Sequence, residues 1–318
     1  MKINASLLLL VLLLAQGAYA NEQLFQFIPA AISDVDPRKV ALGKQLFIDP
    51  ILSGDNSIAC STCHILEKYG VDNLKVSVGV NGQKGKRNTP SVWNARYNFV
   101  QRWDGRNKTL HEQALSVIEN PVEMDGKIEN ITRKLRQNKH YQHSFNKLYS
   151  DGVSEHSIGD AIEQFLKTLV TPDSKFDQYL QGDLDALNQM EVEGFKLFQS
   201  KGCVACHNGI NIGGNLYQKL GVFDDSKAIE MGDYGRYLVT NNPIDKYYFK
   251  VPSLRNIEKT APYLHDGSVK TLPEVVKLMG KLQLGRHLSD IEVDNIVAFL
   301  KKMTGKIAIS ATSKLISE

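Results

Sequence analysis

The chain has 318 residues, 42% of them hydrophobic, and carries a formal net charge of +3. This length favours two domains over one, and this hydrophobic content suits a globular protein with a buried core. The small net charge excludes a strongly basic protein of the kind that binds nucleic acid or an anionic membrane surface.

The first twenty residues have the features of a secretory signal peptide. Lys2 precedes an apolar run over residues 7–14, and residues 18–20 read AYA, an A-x-A cleavage pattern. The run is shorter than the roughly 20 apolar residues that a membrane-spanning helix needs, and no other stretch reaches that length. We therefore predict a signal peptide over residues 1–20, a periplasmic location and no membrane span. An uncleaved N-terminal anchor is the alternative.

Apolar residues spaced three and four apart predict that helices dominate the fold. The predicted helices span residues 37–48, 109–118, 128–150, 156–169, 188–199, 271–280 and 289–303. The last begins at Ser289, which forms a capping box with Glu292. Strand signals are few and short, and the Gly- and Asn-rich residues 209–250 are predicted to form a long loop. The predicted fold class is mainly α.

All four cysteines lie in two copies of one five-residue pattern, CSTCH at residues 60–64 and CVACH at residues 203–207. In this pattern the two thiols attach a haem covalently and the histidine ligates its iron. One copy alone is also compatible with half of a zinc site, and four cysteines in an exported chain are able to pair as disulfides. Two copies with no cysteine left over favour two c-type haems. Their predicted attachment and ligand residues are Cys60, Cys63, His64, Cys203, Cys206 and His207.

The surroundings of the two motifs are repeated as well. LGKQLF (residues 42–47) precedes the first motif and EGFKLF (residues 193–198) precedes the second. A shift of 162 residues aligns residues 89–112 with residues 251–274 without a gap, and nine of these 24 positions are identical. Such repetition indicates internal duplication. We predict two tandem c-type cytochrome domains, residues 21–178 and 179–318.

Differences between the two halves of the repeat suggest different sixth ligands for the two irons. Met279 lies on the predicted helix after the second repeat, where the first half has Val117. A thioether ligand raises the potential of a haem, which suits an electron carrier, whereas core packing is the alternative role for Met279. Trp103 occupies the repeat position of His265 and is expected either between the haems or as an interface aromatic.

The first half also contains the run SVIENPVEMDGK (residues 116–127), with Glu119 and Glu123. Pro121 breaks the predicted helix, which leaves Glu123 on a loop. A carboxylate near an open haem face is able to act as acid and base in the splitting of an O–O bond. A solvated loop carboxylate is the alternative.

Several segments, taken in order, resemble the bacterial di-haem cytochrome c peroxidases over essentially the whole mature chain. They are CSTCH, QKGKRNTPSVWNARYNFVQRWDGR, EQA, NPVEM, CVACH, FKVPSLRN, APYLHDG and LMGKLQLG. The resemblance implies a homodimeric enzyme that reduces hydrogen peroxide to water. The implied electron donor is a small periplasmic cytochrome c or cupredoxin.

The resemblance also assigns roles to the candidate residues. The haem on His64 would be the peroxidatic site, and the haem held by His207 and Met279 would admit electrons. Gln113 and Glu123 match the distal pair of the family, with Glu123 moving a proton from one peroxide oxygen to the other. Trp103 matches the tryptophan between the haems. The family further binds one calcium ion, and its protein ligands correspond to Asn88, Thr260 and Pro262, whose oxygen atoms suit a hard cation.

The chain departs from the family pattern at two positions. Many members carry a histidine in the loop after the first haem motif that ligates the resting peroxidatic iron until the other haem is reduced, and Val80 stands there instead. We predict an open site that needs no reductive activation, unless His111, His140 or His143 substitutes as a ligand. Arg102 replaces an aromatic residue that is common at its position.

Two other functions are compatible with parts of the sequence. A di-haem electron-transfer cytochrome would have two six-coordinate irons, which the lack of a histidine at position 80 and the presence of Gln113 and Glu123 disfavour. A protein-modifying di-haem oxidase, as in methylamine dehydrogenase maturation, has tyrosine where this chain has Met279.

Overall fold

The computed structural model describes residues 24–307, so the predicted signal peptide lies outside the described residues. Helices dominate this part of the chain, which confirms the predicted fold class. None of the helices within residues 24–307 is both long enough and apolar enough to cross a membrane.

The secondary structure consists of helices, single 3-10 turns and one pair of short strands. The helices are α1 (Pro37–Ile48), α2 (Cys60–Cys63), α3 (Leu110–Ile118), α4 (Ile128–Gln137), α5 (Lys139–Leu148), α6 (Glu155–Thr168), α7 (Lys175–Leu180), α8 (Gln189–Ser200), α9 (Ser226–Met231), α10 (Tyr237–Thr240), α11 (Leu272–Leu284) and α12 (Asp290–Lys301). The 3-10 turns are Pro50–Leu52, Leu66–Lys68, Val80–Gly82, Ala95–Tyr97, Leu184–Ala186, Cys203–Ala205, Pro243–Asp245 and Ile257–Lys259. Strands β1 (Tyr217–Lys219) and β2 (Tyr248–Lys250) pair antiparallel, with Tyr217 opposite Lys250.

Six of the seven predicted helices match observed helices to within four residues at either end. The predicted helix over residues 128–150 is wrong, because Asn138 ends α4 and begins α5. Its side chain accepts hydrogen bonds from the backbone N–H groups of His140 and Tyr141, which caps a new helix. The predicted long loop over residues 209–250 is also only partly correct, since it contains both strands, α9 and α10.

The two halves of the chain have separate hydrophobic clusters. Helices α1, α3 and α6 contribute to the first cluster, where the rings of Phe47 and Phe165 lie 5.3 Å apart. Helices α8, α11 and α12 contribute to the second. The two ends of the described segment cross over, because Phe25 packs in the second cluster and Ile307 packs against the first. The boundary at residue 178 stays a prediction, which the two clusters support.

Two glycines allow equivalent helices to cross closely in the two halves. They are the glycines shared by LGKQLF and EGFKLF. A Cβ atom at Gly43 in α1 would lie 1.8 Å from the carbonyl oxygen of Ala161 in α6, and one at Gly194 in α8 would lie 1.9 Å from that of Asn295 in α12. The repeated glycine therefore marks a close helix crossing on the helix that precedes each haem motif.

The internal repeat is visible in the backbone. Asn94 and Asn256, 162 residues apart, both have left-handed conformations, with φ of 62° and 63°, and each precedes a 3-10 turn. The isolated antiparallel bridges Gln101–Asn107 and Tyr263–Val269 have the same separation. Both halves therefore fold the repeated segment in the same way, which agrees with duplication.

Candidate functional site

The first motif forms the short helix α2 with His64 immediately after it. The Nδ1 atom of His64 donates a hydrogen bond to the carbonyl oxygen of Gly70 at 3.0 Å. This bond fixes the tautomer and leaves Nε2 as the nitrogen that is able to ligate iron. Burial lowers the pKa of His64, which favours the neutral imidazole that a metal requires.

The second motif shows the same arrangement. The Nδ1 atom of His207 donates to the carbonyl oxygen of Ile212 at 3.3 Å. Burial lowers the pKa of His207 to about 4, so this ring too is neutral at neutral pH. Both histidines are thus oriented by a backbone carbonyl five or six residues downstream, as expected of metal-ligating histidines.

The four cysteines do not pair with one another as disulfides. Burial raises the pKa of Cys60 to about 12, and it raises the values of Cys63 and Cys203 to about 11. Within residues 24–307, His, Cys, Asp and Glu side chains form no cluster of three or more that is arranged to hold a metal ion. The combination of two thiols and one histidine in each motif fits the predicted attachment of two haems.

A large cavity lies beside the second motif and provides a test of whether a haem fits. Its volume is about 410 Å³, within the range of small-molecule and cofactor sites. Cys203, Cys206, His207 and Met279 all line it, which brings two thiols, an imidazole and a thioether into one cavity. These donors fit a covalently attached haem with a histidine and a methionine as axial ligands.

Trp103 lies where the two halves of the chain meet. Its indole N–H donates to the carbonyl oxygen of Asn88 at 2.9 Å, and its own carbonyl oxygen accepts the N–H of Lys250 at 2.7 Å. The ring packs against the same small hydrophobic cluster as Met279. Its repeat partner His265 lies edge-on to it, with ring centroids 6.3 Å apart. Trp103 therefore contacts the first half of the chain and also lines the cavity beside the second motif.

Glu123 lies on a loop after α3, as predicted, and its carboxylate is held by two side chains. Arg102 donates to Oε1 at 2.8 Å and to Oε2 at 3.2 Å, and Asn120 donates to Oε1 at 2.9 Å. The Glu123 side chain is 29% exposed, so it is neither fully solvated nor sealed. The Glu123 carboxylate is therefore bonded on its loop, and its role as acid and base stays a prediction.

The loop that carries Val80 connects Glu123 to the first motif. Val80 is buried, and its N–H donates to the carbonyl oxygen of Glu123 at 3.0 Å. A Cβ atom at Gly79 would lie 2.1 Å from the carbonyl oxygen of Val122, so the two loops are in close contact. On the other side, Sγ of Cys63 lies 4.0 Å from the carbonyl oxygen of Val78. Glu123 is therefore fixed near the CSTCH motif.

Gln113 lies on α3, one turn before Ser116, whose hydroxyl accepts a hydrogen bond from Arg102. The Oε1 atom of Gln113 is buried and has no hydrogen-bond donor among the described residues. A buried acceptor without a donor is costly unless a ligand or water supplies one. The Gln113 amide therefore suits a pocket that receives a donor-bearing ligand.

The three histidines considered as substitute ligands have other surroundings. His140 is exposed and bonds Gln45 through Nε2 at 2.9 Å, and His143 is also exposed. His111 lies 4.0 Å from a carboxylate oxygen of Glu163. None of these contacts involves the CSTCH motif.

The predicted calcium ligands Asn88, Thr260 and Pro262 all line the cavity that contains Met279. The Asn88 amide nitrogen donates to the carbonyl oxygen of Leu74 at 2.8 Å. The three residues thus line the same cavity, although Asn88 is far from the other two in the sequence.

Sequence reasoning missed the contact of Arg102 with Glu123. The sequence offered only its departure from the family pattern as a signal. The bond to Glu123 links residues 21 positions apart through two loops, and hydrophobic periodicity carries no information about such a contact.

Two family models match the chain, that of the di-haem cytochrome c peroxidases over residues 37–185 and that of cytochrome c over residues 191–304. The cytochrome c551 peroxidase of Nitrosomonas europaea is 47% identical over 276 residues, which cover 86% of this chain and 82% of that protein. The chain belongs to the di-haem cytochrome c peroxidase family.

Other relatives of this di-haem peroxidase agree. The cytochrome c551 peroxidase of Pseudomonas aeruginosa is 42% identical over 306 residues, which cover 92% of this chain and 88% of that protein. The crystal structure of a MauG-like protein associated with microbial copper homeostasis matches with a TM-score of 0.79 at 28% identity, covering 90% of this chain and 97% of that one. Membership makes the chain an oxidoreductase of the cytochrome-c peroxidase class with two c-type haems.

Proposed function

We propose that this chain reduces hydrogen peroxide to two waters in the periplasm, taking up two electrons and two protons. The observation that carries the proposal is the Glu123 carboxylate, which is held by Arg102 on a loop beside the CSTCH motif. A positioned carboxylate is the acid and base that cleavage of an O–O bond needs. The 42–47% identity to cytochrome c551 peroxidases supports the same reaction.

The first haem would be attached at Cys60 and Cys63 with His64 as its ligand, and the second at Cys203 and Cys206 with His207 and Met279. When bound, the haems would supply one iron centre that accepts peroxide and one that delivers electrons. The protein orients each histidine through its Nδ1–H bond to a backbone carbonyl.

Glu123 carries out the proton transfer in the proposed reaction. Its carboxylate takes a proton from one oxygen of hydrogen peroxide and returns it to the other, which leaves as water as the O–O bond breaks. Two electrons from the donor and two further protons would convert the remaining oxygen to the second water. Gln113 presents a buried, unpaired amide oxygen that is able to accept a hydrogen bond from the substrate. Trp103 lines the cavity beside the second motif, and it connects the two halves of the chain through its ring and its backbone.

The proposal includes three further elements. A calcium ion would use Asn88, Thr260 and Pro262, whose oxygen atoms suit a hard cation and which line the same cavity. A small cytochrome c or cupredoxin would donate the electrons. The chain would act as a homodimer after removal of the signal peptide over residues 1–20. Exposed apolar side chains between residues 222 and 244 provide a surface for association.

Replacement of Glu123 by glutamine tests the proposed reaction. Glu123→Gln keeps the side-chain shape but removes the proton acceptor, so kcat/KM for peroxide should fall roughly 10²- to 10⁴-fold. The assay follows oxidation of reduced cytochrome c by peroxide, with two donors oxidised per peroxide consumed.

The matched control is Glu119→Gln, because Glu119 is an exposed carboxylate four residues earlier on the same segment. It should leave the rate unchanged. Equal activity of Glu123→Gln and the wild type would remove Glu123 from the mechanism.

A further inference from the structure

Arg102 holds both oxygens of the Glu123 carboxylate. Its two terminal nitrogens donate at 2.8 and 3.2 Å, and the Arg102 side chain is only 16% exposed. A planar guanidinium matches a carboxylate in this two-point geometry, which fixes orientation as well as distance. Oε1 also accepts a hydrogen bond from Asn120, whereas Oε2 retains a further acceptor position for another donor.

Arg102 is itself held in place by a small polar network. Its Nε donates to Oδ1 of Asn107 at 3.2 Å, and one terminal nitrogen also donates to the hydroxyl of Ser116 at 3.3 Å. The Ser116 hydroxyl donates in turn to Oδ1 of Asn107 at 3.1 Å. All three guanidinium nitrogens therefore have partners, and the arginine is oriented before any substrate binds.

The internal repeat shows which features of position 102 occur in both halves of the chain and which occur only in the first half. Arg102 has the left-handed φ of 65°, and its repeat partner Leu264 has a φ of 70°. The backbone conformation is thus common to both halves, while the arginine occurs only in the half that contains Glu123. Because leucine occupies the equivalent position in this same chain, the fold itself does not require arginine there.

The Arg102–Glu123 pair lies beside the first motif. The N–H of Val80 donates to the carbonyl oxygen of Glu123 at 3.0 Å, and the carbonyl oxygen of Val78 in the same loop lies 4.0 Å from Sγ of Cys63. The Val80 loop therefore bridges Glu123 and the first motif.

We propose that Arg102 is a positioning residue for Glu123 in peroxide cleavage. It holds the carboxylate in the orientation from which one proton passes from the first peroxide oxygen to the second, and it neither gains nor loses a proton itself. Without it, Asn120 alone among the described side chains bonds the carboxylate. The inference rests on the proposed function, because it assigns Arg102 to the same site.

The test is a double-mutant cycle with Arg102→Leu, Glu123→Gln and the double variant. Leucine is chosen because the repeat places it on the same backbone conformation. The control is Arg38→Leu, which removes the same charge from an arginine whose side chain is 69% exposed. Two quantities are measured for each variant, namely kcat/KM for peroxide and the rate of cyanide binding to the oxidised protein. Hydrogen cyanide must lose a proton to a distal base as it binds, so it reports on the position of Glu123 without turnover.

Arg102→Leu should lower both quantities by roughly 10- to 100-fold, since a small misplacement of a catalytic group is that costly. The double variant should be no slower than Glu123→Gln alone, because Arg102 acts through Glu123. Arg38→Leu should match the wild type, and circular dichroism should show that all variants are folded.

Wild-type cyanide binding and turnover in Arg102→Leu would overturn the inference. So would losses that multiply in the double variant, because they would show that Arg102 acts independently of Glu123. If the wild type itself lacked peroxidase turnover, the proposed function would fail, and the cyanide rates would still decide the role of Arg102.

Discussion

His64 and His207 are each oriented by one hydrogen bond in a way that suits an iron ligand. Each imidazole uses Nδ1 to bond a backbone carbonyl, which leaves Nε2 available for a metal. The two differ in what else surrounds them. His207 shares a cavity with Met279, whereas the loops near His64 carry Val80, Glu123 and the arginine that binds it.

At the residue scale, Met279 is predicted to set the potential of one haem. Replacement of a thioether by an imidazole lowers a haem potential, because methionine favours ferrous iron. Met279→His should therefore lower one of the two midpoint potentials by a fraction of the roughly 0.8 V range that axial ligands span. The other potential should not change.

A redox titration followed by visible absorption measures both potentials. Met190→His is the matched control, because Met190 lies at the start of α8 with 46% of its surface exposed. Two unchanged potentials in Met279→His would assign Met279 to core packing.

At the element scale, the crossings of α1 with α6 and of α8 with α12 depend on glycine. An exposed Gly→Ala change in a helix should stabilise it by about 1 kcal/mol. Gly194→Ala should do the opposite, because its Cβ would lie 1.9 Å from a backbone oxygen of Asn295. We expect a loss of roughly 1–3 kcal/mol in the free energy of unfolding, the usual cost of overpacking.

Urea unfolding of the wild type, Gly194→Ala and Glu193→Ala measures this effect. Glu193 is the exposed neighbour of Gly194 on α8, so its substitution controls for helix propensity. A Gly194→Ala variant more stable than the wild type would show that α8 and α12 do not cross closely there.

The sequence predicted elements best where one local pattern determines them. Apolar spacing located most helices, and the repeated Gly, Leu and Phe before each motif marked equivalent helix crossings. The break between α4 and α5 was not predicted, because it depends on one capping side chain, Asn138, within a continuous apolar pattern.

The site was less predictable than the helices, because local sequence patterns determine only part of it. CxxCH is a local pattern with a specific chemical meaning, so the haem-attachment residues followed from spacing alone. The Arg102–Glu123 pair and the cavity lined by Asn88, Thr260 and Pro262 both join residues that are separated in the sequence. Such contacts depend on tertiary packing, which local patterns do not encode.

At the scale of the whole molecule, a buried charge network joins the two halves. Asp104 is fully buried and accepts a hydrogen bond from Arg87 at 2.6 Å, and Arg106 bonds it as well. Arg87 also binds both carboxylate oxygens of Asp233, at 2.6 and 2.8 Å, in the second half. Removing one charged residue from such a network leaves an uncompensated buried charge on its partner.

This network predicts a loss of stability in acid. Burial by itself would raise the pKa of Asp104, but the hydrogen bonds of Arg106 and the charge of Arg87 outweigh it and hold the value at about 2, below the ordinary 3.8. Because the folded-state pKa is the lower one, the stabilisation is complete above about pH 4 and is lost as the pH falls towards 2. Its size is about 2 kcal/mol.

Unfolding free energies of the wild type and Asp104→Asn between pH 7 and pH 2 test this prediction. The variant should be less stable at neutral pH, and the difference from the wild type should shrink below pH 4. A difference that is constant over the whole range would show that Asp104 does not titrate in this way.

The most direct test of the account is peroxide turnover by the fully oxidised di-haem protein, with and without prior reduction, using reduced cytochrome c as donor. We expect equal rates without a lag, because Glu123 and Arg102 are already bonded and Val80 cannot ligate iron. A rate that appears only after reduction would contradict the open site at position 80, and no rate under either condition would contradict the peroxidase function itself.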